Sequence, residues 1–250
     1  MKALITGASS GIGRDLAIIL SRMGYELILV ARRTDKLLEL QKELKTNSEL
    51  ISLDLSVEGY CYDLYEKVQS QNIDILVNNA GFGLYGEFLG IDLSKELNMI
   101  DLNIKSVHIL TKLFLKDFKE RDSGYILNVA SSAAFLPGPL FAGYYATKAY
   151  VLRLTEGIYE ELRRKGSKVY IGALCPGPVR TEFDIVASIG PGNRGLTSKF
   201  VAEYAVKMMF KRKMIIVPGI TMKLARFFTK FLPDKILLKA SYAAQSKKQQ

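Results

Sequence analysis

Residues 2–13 read KALITGASSGIG, and the rest of the chain takes its meaning from how this stretch folds. Ala3, Leu4 and Ile5 make a short apolar run ending at Thr6, and from Ile12 apolar residues return at helical spacing, at Leu16, Ala17, Ile19 and Leu20. The pattern predicts strand, glycine turn, helix. Gly7 permits a sharp exit from the strand, Gly11 leaves room for a diphosphate against bare backbone, and Gly13 lets the helix pack closely on the sheet. With Ser9, Ser10 and Ile12 around them, the first-turn N–H groups and the positive end of the helix dipole would face an anion. An ordinary turn that contains three glycines is the plainer alternative, and the remaining sequence discriminates between them.

A chain of 250 residues with 48% hydrophobic content can bury a substantial core as one α/β domain. It opens directly on a strand and has no run of 18 apolar residues, so neither a cleaved signal nor a membrane span is expected and the protein reads as cytoplasmic. Cys61 and Cys175 stand far apart without a Cys/His cluster, and His108 is the only histidine, which argues against a disulfide framework or a metal site and for structural roles. Net charge is +10, unevenly placed: residues 211–250 hold ten of the 35 Lys and Arg but one of the 25 Asp and Glu. A nearly neutral body carries a basic end.

The second apolar run, Glu26–Ala31, leads to Arg32, Arg33 and a helix through Leu37, Leu38, Leu40 and Leu44, completing a β-α-β unit. An acid just after the second strand would accept hydrogen bonds from a ribose 2′-hydroxyl, whereas arginine pairs with a 2′-phosphate. With Ala31 and Arg32 here, and no acid, NADP(H) is favoured over NAD(H), although both arginines could be ordinary solvated charges. Further strands are predicted at 49–53, 73–77, Tyr125–Val129, 168–174 and 213–217. Helical patterns cover 57–68, 93–119 and 142–165, with Thr197 or Ser198 capping another.

TGASSGIG, spaced Gly-x-x-x-Gly-x-Gly, resembles the short-chain dehydrogenase/reductase family, and the match continues in order along residues 2–219. The resemblance implies a Rossmann-like, doubly wound seven-stranded parallel sheet with helices on both faces, and reversible hydride transfer between NADP(H) and a carbonyl or secondary alcohol, without metal. Asp54 and Leu55 match the pair that meets the adenine, and Asn78, Asn79, Ala80 and Gly81 match the turn that braces the central strands and approaches the cofactor ribose. Asn103 matches an asparagine whose main-chain carbonyl holds a water beside the catalytic lysine; on the residues alone it would be a polar position on a helix face.

Gly143-Tyr-Tyr-Ala-Thr-Lys148 carries the chemistry in this reading. Residues four apart share a helix face, so Tyr144 and Lys148 point into one cleft while Tyr145 points elsewhere. A free tyrosine, of pKa about 10, is a poor acid or base at neutral pH, and a neighbouring ammonium, together with the charge of oxidised nicotinamide, lowers it. The family's serine-to-tyrosine separation selects Ser131 over Ser132 as the group that holds the substrate oxygen. Pro176, Gly177, Val179 and Thr181 resemble the loop that binds the nicotinamide carboxamide, and residues 182–195 read as a lid over the substrate. Phe82, Leu84, Phe88, Phe135, Leu136, Phe141 and Phe183 suggest an apolar pocket for a ketone, a steroid or a 3-oxoacyl thioester. The two long helices imply a homodimer or homotetramer. The alternative reading is a catalytically silent nucleotide-sensing or scaffold protein of the same fold, against which the complete set of Asn103, Ser131, Tyr144 and Lys148 speaks.

Beyond the catalytic unit at 1–219 lies a basic amphipathic extension at 220–250. Leu224, Phe227, Phe228, Phe231 and Leu232 fall on one helical face and Lys223, Arg226 and Lys230 on the other; Pro233 then breaks the helix, and Asp234 can cap a second through Ile236, Leu237 and Leu238. Either these helices close over the pocket or a subunit interface with lysines directed outward, or residues 220–240 rest their Phe/Leu face on a membrane surface. Nucleic acid is excluded as a partner, because the charge sits at one end and alternates with Phe and Leu at helical spacing.

Overall fold

The computed structural model describes residues 1–187, 195–229 and 231–246. Strands and helices alternate as β1 (Lys2–Thr6), α1 (Gly11–Arg22), β2 (Glu26–Ala31), α2 (Thr34–Gln41), β3 (Ser48–Ser52), α3 (Glu58–Val68) and β4 (Ile75–Asn78). There follow α4 (Leu93–Ile100), α5 (Ser106–Glu120), β5 (Tyr125–Val129), α6 (Ala142–Arg164) and β6 (Tyr170–Leu174). The chain ends with β7 (Val179–Arg180), α7 (Phe183–Val186), β8 (Leu196–Thr197), α8 (Ser198–Phe210), β9 (Ile215–Ile216), α9 (Ile220–Thr229) and α10 (Asp234–Ser246).

Seven strands pair in parallel in the order β3-β2-β1-β4-β5-β6-β9, with Leu4 opposite Ile28 on one side and Leu76 on the other. Strands covered on both faces need apolar residues at nearly every position, which is why ELILVA and ILVN do not alternate with polar residues. One face of the sheet packs Leu27, Leu29, Leu16, Leu20 and Val201 together; the other packs Leu4, Ile28, Leu64, Phe114 and Phe118. Each such side chain removed from water contributes about 2 kcal/mol. Gly13 sits where α1 meets the sheet, and a Cβ there would collide with the Gly7 carbonyl and the Asn79 amide, so only glycine allows this approach. Strand order reverses between β1 and β4, and the crevice beyond their carboxyl ends is where an open α/β sheet binds its ligand.

Three elements differ from the sequence-based expectation: to begin with, the helix expected to run through Leu44 ends at Gln41. The helix expected over 93–119 is divided into α4 and α5 by a π turn, Asp101–Lys105, because Asn103 turns inward to bond other segments. The final sheet strand shrinks from 213–217 to two residues, Ile215 and Ile216, pairing only with Ala173 and Leu174 at the sheet edge. Four polar side chains cross the core: Asn78 Nδ2 donates to Asn128 Oδ1 (2.9 Å) and Thr111 Oγ1 (3.0 Å), and Asn128 Nδ2 donates to Thr155 Oγ1 (3.0 Å). These bonds tie β4 and β5 to α5 and α6 below the crevice.

Candidate active site

The crevice is a cleft of about 430 Å³, and the glycine turn forms one end of it. Gly11 has φ +55°, a conformation that favours glycine, and a Cβ there would lie 2.9 Å from the Thr181 side chain. Ser10 occupies the N-cap of α1 without a side-chain cap bond, and no acid lies in the first turn. The helix therefore presents its N-terminus, with positive dipole and uncapped by side chains, to an anion. Gly7, Ser9 and Ile12 line the cleft beside it.

At the end of β2, Arg32 Nη1 stands 3.5 Å from Asp54 Oδ2, while Arg33 Nη2 donates to Glu182 Oε2 (2.7 Å) and Ser9 Oγ (3.2 Å). Both guanidinium groups line the cleft, so Arg33, which in sequence reads only as a loop charge, belongs to the site as much as Arg32. Partial burial pushes the Asp54 carboxyl up, but hydrogen bonds from Ser56 and the charge of Arg32 outweigh it and hold the carboxyl below its usual range. Leu55 follows, buried. The turn after β4 is pinned by Thr6, whose Oγ1 accepts the N–H groups of Asn79 (2.9 Å) and Ala80 (3.0 Å), and by Asn79 Nδ2, which donates to the Thr6 and Gly7 carbonyls. In sequence Thr6 stands at a strand end and opens TGASSGIG, and neither position points to these bonds. Gly81 closes this side: a Cβ there would meet Asn103 Oδ1 at 2.8 Å and Lys148 Nζ at 3.3 Å.

Asn103 is fully buried. Its Nδ2 donates to the Phe82 carbonyl (2.8 Å) and Thr147 Oγ1 (3.0 Å), and its Oδ1 accepts the Phe82 N–H (3.1 Å), so the side chain fastens the π turn to α6 and to the loop after β4. Ser131, at the end of β5, accepts the Ala133 N–H at Oγ (3.1 Å), and the Ser132 N–H donates to the Pro176 carbonyl (2.7 Å). On α6, Tyr144 and Lys148 both face the cleft and both are buried. Lys148 Nζ donates to the Val129 carbonyl (2.9 Å) and lies 5.9 Å from the centre of the Tyr144 ring.

The expected lowering of the Tyr144 pKa by Lys148 is absent from this arrangement. Burial among Phe141 and Phe183 pushes the phenol up, the Ser131 hydroxyl pulls it down by less, and burial brings the Lys148 ammonium down to about 8. Desolvation is the largest cause acting on each of the two groups. Tyr145 also departs from expectation. It lines the same cleft, its ring packed over Gly138 and its hydroxyl bonded to Gln245 of α10.

Pro176, Gly177, Val179 and Thr181 line the cleft, Thr181 beside Gly11 of the glycine turn, with Thr181 Oγ1 accepting the Phe183 N–H (3.2 Å). Cys175, before this loop, and Cys61 are buried free thiols. Of the residues expected to make the apolar end, Phe82, Phe141 and Phe183 line the cleft. Phe88 is instead exposed, and Phe135 lies beneath Arg226. The middle of the expected lid, 188–194, lies outside the described residues. The C-terminal helices meet the rim: the Gln245 carbonyl accepts from the Tyr85 hydroxyl (2.9 Å), and Ser241 Oγ donates to the Pro137 carbonyl (2.7 Å). Closure over the pocket is one of the two readings of these helices in sequence, but the residue pairs that make the contact, Gln245 with Tyr85 and Ser241 with Pro137, carry no sequence signal.

A family model described as short chain dehydrogenase matches residues 1–189. An uncharacterized oxidoreductase of Staphylococcus epidermidis is 32% identical over 223 residues, covering 88% of this chain and 96% of that one. The very-long-chain 3-oxoacyl-CoA reductase of Homo sapiens is 36% identical over 189 residues; the match takes in 72% of this chain but spans only 60% of the human protein. Among solved structures, a short-chain dehydrogenase from Sphingobium yanoikuyae in complex with NADPH superposes with a TM-score of 0.82 at 30% identity, covering 88% of each chain.

Proposed function

The chain belongs to the short-chain dehydrogenase/reductase family, and we propose that within it this protein is an NADP(H)-dependent oxidoreductase that interconverts an apolar ketone or 3-oxoacyl group and its secondary alcohol. One observation carries the reading: Ser131, Tyr144 and Lys148 converge on a cleft that begins at the N-terminus of α1 and ends among Phe82, Phe141 and Phe183.

The residues present fit a phosphorylated dinucleotide. Gly7, Ser9, Ser10, Gly11 and Ile12 would cradle its diphosphate, Arg32 and Arg33 would meet its 2′-phosphate, and Asp54 and Leu55 its adenine, while Gly13 supports the turn from where α1 meets the sheet. Asn79, Ala80, Gly81 and Lys148 would hold the ribose, and Pro176, Gly177, Val179 and Thr181 the carboxamide. When bound, the reduced nicotinamide supplies the hydride that the protein lacks.

Ser131 holds the carbonyl oxygen, and Tyr144 gives it a proton as hydride reaches the carbonyl carbon, leaving an alcohol and a tyrosinate. Lys148, positively charged below about pH 8, stabilises that tyrosinate once substrate and cofactor bring the two groups into one hydrogen-bonded array. A replacement proton then reaches Tyr144 by way of Lys148 and the water that Asn103 would hold. The Phe-lined end favours an apolar substituent beside the reacting carbonyl.

Exposed Leu93 and Leu97 on α4 and Tyr150 on α6 support a homodimer or homotetramer joined along these helices. Among the described residues no helix is long and apolar enough to cross a membrane. We place the catalytic body in the cytoplasm.

The test is nicotinamide oxidation with a panel of ketones, steroids and 3-oxoacyl thioesters of graded length, each with NADPH and NADH. The expected result is turnover with NADPH that rises with apolar substituent length. Intact dinucleotide binding without turnover of any carbonyl would favour the silent sensor instead.

A further inference from the structure

α9 is amphipathic but sits on the protein the wrong way round for a helix that covers a core. Its inward side is Met222, Arg226 and Thr229: Met222 lies over Gly177, and the Arg226 guanidinium stacks 5.0 Å above the Phe135 ring. Lys223, on the flank, leans over Tyr204 at 5.2 Å. The apolar side faces outward, with Ile220 69%, Leu224 52%, Phe227 57%, Phe228 57% and Phe231 70% exposed. Phe227 contacts both Phe228 and Phe231, so the patch is continuous. The expectation that basic residues would be directed outward over a buried Phe/Leu face is therefore reversed for Arg226, while Lys223 stays exposed on the flank; Lys230 lies outside the described residues.

α10 extends the surface with the opposite chemistry. Leu237, Ser241 and Gln245 face inward, while Lys235, Lys239 and Tyr242 face outward, flanked by exposed Ile236 and Leu238. Asp234 is the only acid in residues 211–250. An aromatic and aliphatic ridge beside a row of lysines complements a layer that is apolar below and anionic above. A second copy of this chain complements it poorly, because a two-fold contact would bring the same lysines together with only Asp234 to offset them.

We propose that α9 and α10 dock the protein on the surface of a bilayer bearing anionic lipids, lying in the plane of the interface. Phe227, Phe228 and Phe231 enter the acyl boundary, and Lys235 and Lys239 meet the headgroup phosphates. α9 covers Gly177 and α10 bonds Tyr145, two residues that line the cleft, so docking sets the substrate entrance beside the lipid. The docking itself does not rest on the carbonyl-reductase reading. Only the delivery of a lipid-like substrate does.

The test is sedimentation of the full-length protein with vesicles of phosphatidylglycerol and phosphatidylcholine, and with vesicles of phosphatidylcholine alone, at low and high salt. Binding is expected to the mixed vesicles, to weaken with salt, and to be slight without phosphatidylglycerol. Replacing Phe227, Phe228 and Phe231 together by Ser, or Lys235 and Lys239 by Glu, should each weaken it by about tenfold or more. Circular dichroism and dinucleotide binding should stay unchanged, since the replaced side chains are exposed. A wild-type protein that stays in the supernatant with mixed vesicles at low salt overturns the proposal. So does vesicle binding that survives the serine variant, or a concentration-dependent dimer abolished by that variant in a protein that ignores vesicles.

Discussion

Lys148 and Tyr144, one turn apart on α6, do not bond each other: Nζ donates to the Val129 carbonyl at 2.9 Å and stands 5.9 Å from the tyrosine ring centre. Burial favours the neutral form of each group, the lysine coming down to about 8 from its usual 10.5.

That burial makes Lys148 a cost to folding whose pH dependence is defined. Below about pH 8 the lysine is charged in folded and unfolded chains alike, and the full cost applies. Between about 8 and 10.5 the folded chain has lost a proton that the unfolded chain retains, so the cost fades, and above 10.5 it is gone. Lys148→Met should consequently lose turnover yet show a stability advantage over the wild type that shrinks by roughly 2–4 kcal/mol from neutral pH to above 10. Urea unfolding across that range checks it, and a pH-independent difference would contradict the burial argument.

Tyr144→Phe should lower turnover by about 10²- to 10⁴-fold while leaving NADPH binding nearly unchanged, because it removes only the proton donor. Tyr145→Phe should keep chemistry largely intact. It severs the bond to Gln245, so its expected effect is on KM for bulky substrates, read from steady-state kinetics.

Arg33 shares its charge with Glu182 at 2.7 Å, and a 2′-phosphate would have to compete with that carboxylate. Glu182→Gln should therefore tighten NADPH binding several-fold and leave NADH unaffected. Arg32→Ala and Arg33→Ala should each weaken NADPH by roughly 1.5–3 kcal/mol, the range for a hydrogen bond to a charged group. Fluorescence titration with both dinucleotides separates these effects, and equal losses for NADPH and NADH would remove the arginines from the 2′-phosphate.

Asn128→Ala should destabilise the protein by about 2–3 kcal/mol, because it strips Asn78 and Thr155 of partners inside the core. A double-mutant cycle with Asn78→Ala, read by chemical unfolding, should show coupling; strict additivity would mean that the two asparagines act separately.

Much of this was legible in order along the chain. The apolar runs of β1, β2, β4 and β5, the glycine turn at 7–13, the cap at Thr197 and the shared face of Tyr144 and Lys148 all follow from spacing over a few residues, which backbone geometry converts directly into direction. The π turn at Asn103 was hidden, because its bonds run to Phe82 and Thr147, and helical periodicity in 93–119 carries no mark of either.

The sequence by itself thus determined the main strands and helices of the sheet and that Tyr144 and Lys148 share a face. Only the tertiary structure decided that the phenol of Tyr144 rises, that Arg33 meets Glu182, that Gln245 reaches Tyr145, and that α9 turns its phenylalanines outward. The physical reason is range. Periodicity is set by covalent geometry within one or two turns, whereas burial and long-range contacts are set by what every other segment brings to the same place.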